Sequence, residues 1–106
     1  MKIMHLSDAV RGWFCGDFEP SIYKTSAVEV GIKNYKAGYH ENPHYHKVST
    51  EITTIISGEV KINNTTYVAG DIILIEPMEI VDFISVTDSI TNVVKIPHTK
   101  NDKYEV

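Results

Sequence analysis

The chain has 106 residues, 42% of them hydrophobic and 23% charged, and carries a formal net charge of -4. That length provides for one domain with one core and not for two. The negative balance, with Lys and Arg scattered singly along the chain, argues against a nucleic-acid partner, which needs a concentrated basic face.

No apolar run approaches the ~20 residues that span a bilayer, and residues 1–8 lack the apolar stretch of a signal peptide. Neither a membrane nor an exported location is expected. Cys15 is the single cysteine, so an intrachain disulfide is excluded and a reduced, cytoplasmic setting is the expectation. Beside Trp13 and Phe14 it reads as a small semi-buried residue rather than a reactive thiol.

Residues 1–25 form an N-terminal cap or edge segment within a single domain of residues 1–106. Asp8 to Phe14 suits a short helical turn, which Gly12, Gly16 and Pro20 keep from extending. Trp13, Phe14 and Phe18 are expected to plug one end of the core, the alternative being a cap or dimer contact across a pocket mouth. From Ala27 the pattern turns to β, with Val28, Val30, Ile32 and Tyr35 set among Glu29, Lys33 and Lys36. Gly38 and the Asn42-Pro43 pair mark a loop entering the strand of His44 and His46. Glu51 to Ser57 is rich in β-branched residues and ends at Gly58. Residues 59–63 alternate, Asn63-Asn64 turns, and Thr66 to Val68 returns, which is a hairpin. After Gly70-Asp71, the apolar run Ile72 to Ile75 reads as a strand buried on both faces. Glu76 to Glu79 interrupts, and Ile80 to Val86 and Ile90 to Ile96 follow as strands around Thr87-Asp88-Ser89. The tail, 97–106, is charged and aperiodic, and disorder is expected in its last residues. About seven or eight short strands with little helix predict an all-β chain, a small antiparallel double-sheet jelly-roll barrel.

Chemistry gathers in the middle. His44 and His46 are two apart, so on a strand both imidazoles face one side. Glu51 follows after a turn or bulge and can bring a carboxylate to the same point. Two imidazoles and a carboxylate with open positions are what a catalytic or ligand-binding divalent metal requires.

The stretch reads Gly38, five residues, His44-Tyr45-His46, four residues, Glu51, six residues, Gly58. Every fixed position resembles the first signature of the cupin superfamily. The resemblance implies a small double-sheet barrel with a metal inside, held by His44, His46 and Glu51. The second cupin signature is matched at Gly70 and then fails. Glu76 stands in its Pro place, Met78 in its Gly place, Val81 in its His place and Ser85 in its Asn place, though Pro77 and Phe83 keep its flavour. The family's fourth metal ligand, a histidine, is therefore missing at Val81. Three readings follow: three protein ligands with more open positions; Asp82 as the fourth, if a bulge at Met78 shifts the register; or a metal-free pocket. The first is preferred.

The other histidines read as bland: His40 is exposed or at a rim, and His5 and His98 lie on the surface. Tyr45, between the two histidines, points outward, whereas Tyr39 reaches the pocket. Glu76 and Glu79 are solvated charges, and Thr53, Ile55, Ile73 and Ile75 fill the core. The resemblance implies a mononuclear metal-binding cupin taking a small polar metabolite in the barrel mouth, with Fe(II) dioxygenation or metal-assisted isomerisation as candidate reactions. The alternative is a non-catalytic ligand-binding or metal-binding module with a closed shell. Imidazole and carboxylate suit Fe, Mn, Ni, Co and Zn alike. A homodimer paired through sheet edges is expected by the same resemblance.

Overall fold

The structure, a computed structural model, describes all 106 residues. After a single turn of 3-10 helix at Leu6–Asp8, everything regular is β. The strands are β1 (Trp13–Cys15), β2 (Glu29–Tyr35), β3 (His40–Tyr45), β4 (Thr50–Ser57), β5 (Glu59–Ile62), β6 (Thr65–Val68), β7 (Ile72–Ile75), β8 (Val81–Ser85), β9 (Ser89–Ile96) and β10 (Tyr104–Glu105). They make two antiparallel five-stranded sheets, ordered β1-β2-β9-β4-β7 and β10-β3-β8-β5-β6. The all-β double-sheet expectation holds. No helix is long and apolar enough to cross a membrane.

The core lies between the sheets. Ile55 of β4, Val60 and Ile62 of β5, Ile75 of β7, and Val81 and Phe83 of β8 form one buried cluster, with Tyr35, Tyr67 and Ile73 packed against it. Thr53, Ile55, Ile73 and Ile75 all point into it or its margin, as parity requires.

Four local readings are corrected. The helical turn lies at Leu6–Asp8, and Trp13 to Cys15 is extended instead, because β2 offers it a strand edge through Trp13 opposite Gly31. Ile72–Ile75 is buried on one face only: as the edge strand it leaves Ile72 and Leu74 exposed and turns Ile75 inward. Asn42 and Pro43 are not a loop before the histidine strand but a bulge within it, since Glu41 pairs with Phe83 and His44 with Val81. A proline that cannot donate to the ladder suits such a bulge. The tail is ordered, and Tyr104 and Glu105 pair with Tyr45 and His44.

β2 inverts the usual apolar-inside rule. Its register with β9 puts Glu29, Gly31, Lys33 and Tyr35 on the face shared with Lys95, Val93, Thr91 and Ser89, which looks into the barrel. Val30 and Ile32 look out. The outer face of this sheet carries Val30, Val94, Ile52 and Leu74 in one cross-strand row, and Ile32, Asn92, Thr54 and Ile72 in the next. None of those positions is charged.

Candidate metal and ligand site

His44 and His46 are both buried, at 6% and 5% exposure, and face each other edge-on with ring centroids 5.8 Å apart. The same-face reading of the pair holds. Nδ1 of His44 donates to the Asn42 carbonyl at 2.8 Å, which fixes the tautomer and leaves Nε2 as a free lone pair. Nε2 of His46 is buried with no hydrogen-bond partner at all. Burial first, and then the neighbouring Lys95 ammonium, lower the pKa of His46 and hold the ring neutral. A ring held by a carbonyl at Nδ1 beside one with an unpartnered Nε2 is an arrangement that metal binding can use.

Glu51 lies on β4 along the same cavity wall. Its Oε2 accepts a hydrogen bond of 2.8 Å from the Thr53 hydroxyl, and in the ladder it stands opposite Lys95. No three His, Cys, Asp or Glu side chains are gathered closely enough to close around an ion. The histidine pair is therefore formed, and the carboxylate stands beside it rather than on it.

The loop that leaves His46 is held from the tail. Asp102, buried at 6% exposure, accepts N–H bonds from Lys47 (2.9 Å), Val48 (3.1 Å) and Ser49 (2.9 Å). Its desolvation opposes ionisation, but these bonds outweigh it and keep the carboxyl below its ordinary pKa. The Met78 N–H also donates to the His46 carbonyl at 2.7 Å.

All of this opens into a cavity of about 1080 Å³. Besides His44, His46 and Glu51, its lining includes Trp13, Tyr35, Tyr39, Arg11, Lys33 and Lys95. Trp13 is thus at the cavity and not a core plug; the alternative of a cap across the mouth describes it better. Its ring lies over Gly31, where a Cβ would come within 2.6 Å of the indole. Tyr39 reaches the cavity as expected and stacks on Tyr35 with centroids 5.0 Å apart, while Tyr45 turns outward onto Tyr104. His98 is not a surface residue: its side chain is 6% exposed, and Nε2 lies 3.2 Å from Glu29. Because Nδ1 accepts from the Asp17 N–H, the proton sits on Nε2 and faces that carboxylate. His5 and His40 are exposed. Glu76 is exposed, and Glu79 accepts from its backbone N–H.

No family model matches the sequence, and no curated protein does. Solved structures match throughout. A protein with a double-stranded β-helix domain from Klebsiella pneumoniae superposes with a TM-score of 0.69 at 21% identity, over 92% of this chain and 86% of that one. A cupin-2 domain protein from Shewanella frigidimarina gives 0.61 at 14% identity, over 71% and 76%. The fold is that of the cupins. The DMSP lyase DddQ from Ruegeria pomeroyi shares it with a TM-score of 0.72 at 13% identity, over 89% of this chain and 49% of that enzyme.

The cupin register explains where the second signature fails. Val81 is buried directly opposite His44, in the place of the missing histidine. Met78 still makes the turn its glycine would make, with φ of 73° in the left-handed region, so no shift reaches β8. Asp82 is consequently on the other face of β8: Oδ1 accepts from the Asn63 N–H at 2.8 Å and its own N–H bonds Asn63 Oδ1. Asp82 nevertheless lines the same cavity as His44 and His46.

Sequence reading missed Arg11, Lys33 and Lys95 as cavity residues. For Lys33 and Lys95 the signal available was strand parity, but two-residue periodicity does not say which side of a strand is the inside; Arg11, on the turn before β1, had no such signal.

Proposed function

We propose that this cupin-fold protein binds one divalent transition metal through His44, His46 and Glu51 and presents a small polar metabolite to it in the barrel mouth. The observation that carries the reading is the buried, partnerless Nε2 of His46 beside the free Nε2 of His44, both facing one cavity. A buried polar atom without a partner is costly, and a cation on the paired imidazoles removes that cost. When bound, the metal supplies a Lewis acid that polarises an oxygen of the ligand.

The chain's own groups do the rest. The Asn42 carbonyl holds His44 in its tautomer, Asp102 fixes the backbone that follows His46, and Met78 holds the His46 carbonyl. Glu51, bonded to the Thr53 hydroxyl on the same cavity wall, would supply the carboxylate of the ligand set. Tyr35, whose phenol burial drives strongly toward the neutral form, stays a hydrogen-bond donor at the cavity wall. Asp82, tied to Asn63, takes no part in this scheme. Reaction classes in keeping with the reading are oxygenation and isomerisation; DddQ, with the same fold, is named a lyase, which adds elimination to the screen.

Elemental analysis of protein purified without added metal or chelator tests the site, with the His44→Ala/His46→Ala double variant alongside. About one transition-metal ion per chain, lost in the folded variant, is the expected result. Equal metal content in both, or none after reconstitution with Fe, Mn, Ni, Co and Zn, would end the assignment.

We also infer a homodimer, laid face to face through the outer side of the β1-β2-β9-β4-β7 sheet rather than edge to edge. Its uncharged rows leave Ile72 70% and Leu74 55% exposed. With no charge to select a different partner, a two-fold axis can lay the patch on its own copy. Light scattering should give twice the chain mass, falling to one in Ile72→Lys/Leu74→Lys. A wild-type monomer at high micromolar concentration would contradict it.

A further inference from the structure

Two cations in the cavity have no carboxylate partner. Lys95 is paired with Glu29 and Lys103 with Glu41, but Lys33 and Arg11 form no ion pair. The Lys33 ammonium donates instead to the Arg11 carbonyl, and it lies 4.6 Å from the centre of the Trp13 ring. Lys95 contacts the same indole at 5.2 Å. Two ammonium groups therefore flank one indole, and Arg11 lines the same cavity from the turn before β1.

This arrangement is built rather than incidental. Gly12, with φ of 85°, brings Arg11 and Trp13 against β2 so closely that a Cβ there would lie 1.9 Å from the Ile32 carbonyl oxygen. Ile32 closes the contact with an N–H bond to the Gly12 carbonyl. The cost of holding these charges together is visible on Lys33, whose pKa is lowered by burial first and then by Arg11 and Lys95. His46, nine-tenths buried, lines the same cavity. The cations at its mouth, without a carboxylate of their own, call for an anionic ligand from outside the chain.

We propose that the cavity takes an organic carboxylate, its anionic end held by Lys33 and Arg11 against Trp13 and its carbon skeleton running toward His46. The inference deepens the ligand-pocket reading above and rests on it. Carboxylate is favoured over phosphate because the one helical element at the cavity is the single 3-10 turn at Leu6–Asp8, too short to present the aligned amides that cradle a phosphate. The cavity floor toward the histidines, with Ile75, Val81 and Val93, suits a carbon skeleton.

Trp13 is the only tryptophan, so its fluorescence reports this site alone. Titration with succinate should give a saturable change that weakens with salt, while neutral succinamide gives none. Lys33→Met and Arg11→Gln should each weaken succinate at least tenfold, and Lys33→Arg should restore most of the affinity, with circular dichroism confirming the fold of each. No saturable response in the wild type, equal affinity in the Met and Gln variants, or an equal response to succinamide overturns the proposal. A response to inorganic phosphate as strong as that to succinate overturns the carboxylate assignment. The same titration on His44→Ala/His46→Ala separates the two ideas. Metal content judges the metal site, whereas succinate binding that survives in the metal-free variant shows the anion site standing without it.

Discussion

The two ends of the barrel interior are made by the same strands and hold opposite kinds of residue. Along β9 the inward residues run from Ser89 and Thr91, at 2% and 0% exposure, through Val93 to Lys95 at the cavity. Along β4 they run from Ile55, at 1%, through Thr53 to Glu51. At the closed end two hydroxyls are spent internally, Ser85 and Ser89 bonding one another at 3.0 Å and sharing the Thr87 carbonyl, while the buried Thr91 hydroxyl has no partner. At the open end Nε2 of His46 is left without a partner and Lys33 without a carboxylate. Continuous strands let the packed end hold the chemical end rigid, without the site having to stabilise itself. Sites on regular elements are more precisely held than sites on loops.

The sharpest way to break this division is at its packed end. Ile55→Ala removes a fully buried side chain from the core cluster and should cost about 3 kcal/mol in denaturant unfolding, leaving metal content per folded chain unchanged. Loss of metal in a still-folded Ile55→Ala protein would show that the two ends are not separable.

Next in size is the tie between the tail and the loop after His46. Asp102→Ala orphans the N–H groups of Lys47, Val48 and Ser49 and should cost about 2 kcal/mol. Since Asp102 has a lowered folded pKa, its contribution is full above its unfolded value of ~3.9 and is lost as pH falls through the lower folded value. The melting temperatures of the wild type and Asp102→Ala should therefore differ at about pH 6 and draw together toward about pH 3. A gap that stays constant over that range would remove the carboxylate from the account.

At the open end, Val81→His puts an imidazole directly opposite His44. It should tighten metal binding by about tenfold, ~1.4 kcal/mol, in a competition titration against a chelator. Unchanged affinity would mean that the ion does not sit between β3 and β8.

The fold was largely legible in the chain because turns and β-branched runs punctuate it, and the histidine pair was legible because period two is strict on a strand. The strand polarity was not. Val30 and Ile32 look like core and Glu29 and Lys33 like surface, yet β2 faces the other way, since a polar cavity lies inside it and an aliphatic sheet face outside. His98 misled for a related reason: it lies beyond the last long strand in a charged segment, and its burial depends on Glu29 and Asp17, far away in sequence. Asp102 gave no local pattern for the same cause. Met78 shows the converse, a glycine turn kept after the glycine is gone, which left the spacing to Val81 intact.

The strand order carries a consequence for how the chain reaches this state. β2 and β4 never touch each other in the sheet; both hang on β9, and β3 and β5 likewise both hang on β8. Glu29 must find Lys95 before the first sheet has a centre. Loop closure on that scale is entropically expensive and is rewarded only late. On a ribosome the histidine strand β3 therefore waits for residues 81–85, and β4, which can pair early with β7, keeps its other edge open until residues 89–96 emerge.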